Sequence, residues 1–175
     1  CMQIAGAVAD PQPGGPHAVY LEWDLALRRA LITILAECMA VSLPTVAPAS
    51  AAAGDNFALL RMLGDAIERI DCAPGMPEAH KRSALDLVEY AQRGDAAAPE
   101  LNQLACDEAA GFLGKRFEDR RERDAALERF VQSARPGHFE MLLQYFARQI
   151  ERQVLIYAST AVGGSASRVG FSPIT

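Results

Sequence analysis

PGHFEMLLQYFARQIERQVLIYASTAV, residues 136–162, carries its apolar side chains at helical spacing. Phe139, Leu142, Leu143, Phe146, Ile150, Val154 and Tyr157 follow one another mostly at three or four residues, which lines them along one face of an α-helix. Glu140, Gln144, Arg148, Gln149, Glu151 and Arg152 fill the other face, while Leu155 and Ile156 widen the apolar surface near the end, which points to burial of the last turns on more than one side. Gly163-Gly164 supplies the stop. A helix with such a stripe must bury it against neighbours, so the rest of the chain is read for helices that could cover it.

Upstream, residues 17–43 form the first expected helix. It is amphipathic as far as Arg29 and almost entirely apolar from Ala30 to Leu43, which places its second half in the middle of the domain. Pro44 ends it, and residues 45–54 are a loop of small side chains. Asp55 or Asn56 caps a second helix whose stripe is Leu59, Leu60, Leu63, Ile67 and Ile70. CAPGMP, residues 72–77, breaks the chain before a third helix over 78–92, with Ala84, Leu85 and Val88 inward.

GDAAAP, residues 94–99, reads as a short loop, and Pro99 then suits the first turn of a fourth helix. Its stripe is Leu101, Leu104, Ala105, Ala109, Phe112 and Leu113, with Asp107 and Glu108 on the wet side and Gly111 and Gly114 near its end. A fifth helix over 119–134 buries Ala126, Leu127, Phe130 and Val131. No stretch shows the two-residue alternation of a strand. The reading is all-α: a bundle of five to six helices over 17–162, with a flexible N-terminal segment over 1–16 and a C-terminal tail over 163–175.

Composition fits that reading. The chain has 175 residues, 50% hydrophobic and 22% charged, enough for one domain with a sizeable core and too apolar for a disordered acidic tail. The net charge of −5 argues against a general nucleic-acid binder. The longest apolar run, Ala30 to Leu43, is 14 residues with Glu37 inside it, short of the roughly 20 that a membrane span needs. Cys1, followed by the Pro- and Gly-containing segment 2–16, admits a lipid-anchored terminus as one alternative; a scar or a fragment boundary is the other.

Reactive chemistry finds little support. His17, His80 and His138 lack a Glu three residues before them, and neither His-x-x-x-His nor Cys-x-x-Cys occurs, so no metal or cofactor is called for and the histidines read as solvated or capping groups. Cys38, Cys72 and Cys106 stand 34 residues apart, but the windows around them do not otherwise align, so a tetratricopeptide-type repeat is not supported. Cys38 is expected to be buried and inert, Cys72 to sit at a helix C-terminus where the dipole disfavours a thiolate, and Cys106 to be a core thiol beside Asp107 and Glu108. No Gly-x-Ser-x-Gly, Ser-x-x-Lys or phosphate-loop motif is present. Asp65/Glu68 and Glu118/Glu122 each have arginines at helical spacing and read as solvated ion pairs.

Two surfaces remain. KRFEDRRERDAALER, residues 115–129, interleaves six basic with five acidic residues and reads first as a salt-bridged solvated face; Arg116, Arg120, Arg121 and Arg123 make it a candidate contact surface. Tyr20, Trp23 and Leu27 share one face of the first helix, which packs inside the domain or, alternatively, docks a partner. The expected function is a non-catalytic helical module that binds another protein, soluble in the cytoplasm or after secretion. The alternatives are a small enzyme or ligand sensor with a site in the bundle interior, and a lipid-anchored envelope protein.

Overall fold

The apolar stripe from Phe139 to Tyr157 lies on a helix that packs against two others. The computed structural model describes residues 17–49 and 54–158. Among them run five helices: α1 (His17–Met39), α2 (Phe57–Glu68), α3 (Met76–Leu113), α4 (Arg120–Gln132) and α5 (Pro136–Ala158). The N-terminal segment 1–16 with Cys1, and the glycine stop and tail from 163 onward, lie outside the described residues.

α5 packs on both α1 and α3, and α1 also touches α3. α1 runs antiparallel to α5: Glu22 meets Tyr157, Arg29 meets Glu151, and the Ser42 carbonyl accepts from Gln144. Leu25, Val154 and Tyr157 form the apolar cluster of this seam, with Leu21, Tyr90 and Ile150 around it. α3 is antiparallel to α5 as well, with Tyr90 edge-on to Tyr157 and Phe112 edge-on to Tyr145. A second cluster, Ala109, Leu127 and Tyr145, joins α3, α4 and α5.

The expected loop over 94–99 is instead the interior of one 38-residue helix, so the third and fourth expected helices are one element. Pro99 removes a single ladder bond, the one its N–H would have given to the Asp95 carbonyl, and the alanines at 96–98 are the strongest helix formers. The chain before α2 docks where the ladder is open. Asn56 donates from its backbone N and from Nδ2 to the two Asp95 oxygens, both at 2.8 Å. Asn56 therefore gives its side chain to α3 rather than capping its own helix. Gly54 allows this approach, because a Cβ there would stand 2.1 Å from Asp95 Oδ2 and 2.6 Å from the Asp95 backbone carbon.

α1 also stops earlier than the expected Leu43. Val41 N bonds the Ala36 carbonyl at 2.9 Å and Ala40 N the Glu37 carbonyl at 3.2 Å, the paired closure of a Schellman motif. Ala40 takes the left-handed position with φ +52°, unusual for a residue with a Cβ. α3 ends on the expected glycine: Gly114 has φ +67° and its N–H returns to the Ala110 carbonyl at 3.0 Å. Asp119 caps α4 by accepting from Glu122 N at 2.9 Å, so this helix begins where the sequence placed it.

The last turns of α5 are covered on two sides, as its widening apolar surface suggested. Glu151 and Arg152 are buried there because α1 and α3 flank the helix and each presents an opposite charge. Arg29 reaches Glu151 with Nε at 2.6 Å and Nη2 at 3.4 Å. Glu108, expected on the wet side of α3, is half-buried and accepts from Arg152 and from Gln149 Nε2 at 3.1 Å, while Arg148 Nε stands 3.1 Å away off the hydrogen-bond direction.

Candidate functional site

α1 has two apolar sides, and the described residues cover one of them. Leu25 and Ala36, with Glu22, are buried against α5 and α3. On the opposite side Leu27, Leu31, Ile34 and Cys38 follow at four, three and four residues and form a second stripe. Leu31 is 52% and Ile34 55% exposed, Leu35 and Met39 flank them in the open, and Leu27 is half-buried. The second half of α1 is thus at the rim, not the middle. An all-round apolar helix is normally central, but here α2 and α4 pack on α3, so among the described residues no helix covers the outer side of α1. Cys38 is accordingly exposed, not buried.

Trp23 is 51% exposed at the edge of this stripe, and Tyr20 is half-buried above it. Trp23 is therefore not packed inside in the way expected of that face. α2 repeats the pattern on a smaller scale. None of its residues is buried; Leu60 and Ile67 lean on α3 while Leu59, Met62 and Leu63 face outward. The stripe expected to bury is therefore only half covered.

The arginines expected to form one surface are divided. Arg120 and Arg121 are exposed on α4, and Arg120 Nε pairs with Asp124 at 3.3 Å. Arg123 is not on that surface at all: it is 7% exposed, gives Nε and Nη2 to Asp124 Oδ1 at 3.0 and 2.7 Å, and leaves Nη1 buried without a hydrogen-bond partner. Arg116 lies in the turn before α4 and lines a cleft of about 420 Å³ with Gln103, Cys106, Asp107, Ala110 and Phe117. Tyr20 and Trp23 belong to α1, which packs on α5 and α3, so the fold does not bring them together with the α4 arginines.

Cys106 forms part of the cleft wall and is half-buried, a correction to its expected place in the core. The three cysteines occupy unrelated settings, an α1 end, a loop and the interior of α3, in line with the absence of a repeat. His138 accepts from Arg135 N at 3.3 Å and stacks near Phe130 at 5.0 Å, a capping role in line with its reading. Glu122 pairs with Lys115 and accepts from Glu118 N at 3.2 Å, and this hydrogen bonding holds its carboxyl below the usual range.

One buried polar group lies between α1, α3 and α5. Tyr157 donates to Glu22 Oε2 at 3.4 Å. Burial, with the Glu22 carboxylate beside it, pushes the Tyr157 hydroxyl up to about 12. Burial likewise raises Tyr90 and the Asp86 carboxyl nearby. These groups hold helices together and open onto no cleft described above. Among the described residues no three His, Cys, Asp or Glu side chains are gathered as a metal site would need, and no helix is long and apolar enough to cross a membrane.

No protein-family model matches the chain, and comparison with curated proteins and with solved structures found no similar protein. The signal for the open stripe was present in the sequence as the spacing of Leu27, Leu31, Ile34 and Cys38, but periodicity alone does not say which of two apolar sides is covered.

Proposed function

We propose that the chain is a helical protein-interaction module that works without catalysis, and that the outer stripe of α1 is its binding surface. One observation carries this reading. Leu31, Ile34 and Leu35 are about half exposed side by side on a helix whose other side is firmly packed. Contiguous exposed apolar surface of this kind marks interaction sites in folded proteins, whereas singly scattered apolar residues do not. A helix presenting anchors at i, i+3, i+4 and i+7 is also a common means of engaging a groove or another helix.

The test is chemical cross-linking and affinity capture from the native source, comparing the natural chain with Leu31→Asp. Loss of a captured partner in the variant, with an unchanged far-ultraviolet circular dichroism spectrum, supports the reading. Capture that is identical in both removes α1 as the surface.

The cleft beside Cys106 supports a second reading, a small-ligand sensor, because Gln103, Asp107 and Arg116 converge on it. Its polar residues sit at the surface between α3 and the turn into α4, not in the dry bundle interior that such a site favours. A ligand that raises the thermal midpoint, and loses that effect in Arg116→Ala, would favour it.

A further inference from the structure

We infer that α2 is a conditional helix: α3 caps it at both ends, and α2 undocks and melts as one unit while the other four helices keep their places. The ends of α2 carry little stabilising chemistry of their own. No acidic residue lies in its first turn, no basic residue in its last, and Asn56 makes no side-chain cap bond to it. Gly64 in its middle lowers helix propensity further. A helix of 12 residues with such ends is marginal by itself in water.

α3 supplies what is missing. At the entrance, the Asp95 carboxylate accepts from Asn56 N and Nδ2, both at 2.8 Å, which sets a negative charge at the positive end of the α2 dipole. At the exit, Lys81 Nζ donates to the carbonyls of Glu68 and Ile70 at 2.6 and 2.7 Å, a positive charge where a helix leaves its carbonyls open. Between the two clamps Gly64 lies over Val88. Lys81, Val88 and Asp95 follow one another at seven residues and so share one side of α3. Asn56 and Ile70 stand as far apart in sequence as Lys81 and Asp95, so the two antiparallel helices can close both clamps together.

Apolar burial adds little to these clamps. The packing of α2 is on α3, none of its residues is buried, and its inner side consists of Leu60, Gly64 and Ile67. α3 has independent support, since it packs on α1, α4 and α5 as well. Opening either clamp removes a cap and a docking contact in the same event, so docking and helix formation are one step. That step uncovers Val88, which α2 otherwise helps to bury, together with Leu60 and Ile67.

Native-state hydrogen exchange of the full chain, read by peptide mass spectrometry, tests this with Asp95→Ala and Lys81→Met. The expected effect reaches the far end in each case. Asp95→Ala speeds exchange near Glu68, and Lys81→Met speeds it near Leu60, each by roughly fivefold, the equivalent of one lost cap. α1 and α5 keep their protection in both. The double variant loses helical circular dichroism matching the 12 residues of α2. Gly64→Ala acts in the opposite sense and slows exchange across α2 by roughly fivefold, because the added Cβ stands 3.5 Å from Val88 Cγ1 without a clash. Acceleration confined to the turn beside each altered residue, or equal acceleration across α5, overturns the inference. So does a double variant that keeps the full helical signal.

Discussion

Arg152 of α5 grips Glu108 of α3 with two hydrogen bonds, Nη1 to Oε2 at 3.1 Å and Nη2 to Oε1 at 2.5 Å. Arg152 is buried, and Glu108 is also approached by Arg148 and Gln149, so one carboxylate ties three α5 side chains to the middle of α3. Removing it leaves a buried guanidinium uncompensated, a larger cost than the net worth of the pair. Glu108→Ala is expected to destabilise the fold by about 3 kcal/mol in urea unfolding. The double variant Glu108→Leu with Arg152→Met should recover most of that loss, since neither charge is then left alone. A Glu108→Ala chain as stable as the natural one would contradict the pairing.

Gly54→Ala tests the docking of α2. The added Cβ cannot coexist with Asp95 in its present place, since it would stand 2.6 Å from the α3 backbone as well as 2.1 Å from the Asp95 side chain. The Asn56–Asp95 bonds are expected to break, at a cost of about 1–2 kcal/mol, in the range of a lost helix cap. Hydrogen exchange should accelerate across α2 while α5 keeps its protection. Equal protection of α2 in both chains would show that the loop does not sit on Asp95.

Ala40→Gly works in the opposite direction. Ala40 holds the left-handed position that closes α1, where a Cβ is strained and glycine is not. The substitution is expected to stabilise the protein by about 0.5–1 kcal/mol, and to raise the thermal midpoint by roughly 2–4 °C per kcal/mol in a chain of this size. A lowered midpoint would mean that α1 ends elsewhere.

Alkaline titration examines the buried tyrosine. The Tyr157 hydroxyl is raised from 10.0 to about 12 in the folded state. The folded protein therefore holds this proton more tightly than the unfolded chain does, and the associated stability is fully present below pH 10 and lost between about pH 10 and 12. Absorbance at the phenolate band should show Tyr90, Tyr145 and Tyr157 ionising late, and Tyr157→Phe should remove one of these three late steps. Ionisation of all four tyrosines together near 10 would contradict the burial of Tyr157 beside Glu22.

The helices were legible in the sequence wherever one apolar side faced one polar side. Residues 136–162 announced α5, and the spacing of Ala126, Leu127, Phe130 and Val131 announced α4, because period is local. Gly94 and Pro99 misled, since both punctuate helices in general, while the alanines between them and the contact with Asn56 keep α3 continuous. Glu108 read as wet because a single helix cannot reveal the opposite charge waiting on its neighbour. Arg123 was misplaced for a related reason: its charge pointed to solvent, and only the fold shows it turned inward beside Asp124. The second half of α1 was misread as central because its apolar residues encircle the helix, whereas the number of sides covered is set by where the other helices go.

The openness of the α1 stripe is tested most directly by hydroxyl-radical footprinting of the full chain at high dilution. Leu31, Ile34 and Leu35 are expected to be oxidised at similar rates, well above those of buried Leu25 and Leu142, and to become protected when a partner is added. Protection equal to that of Leu25 at the highest dilution would mean that the chain covers this face itself, and that α1 presents no binding surface.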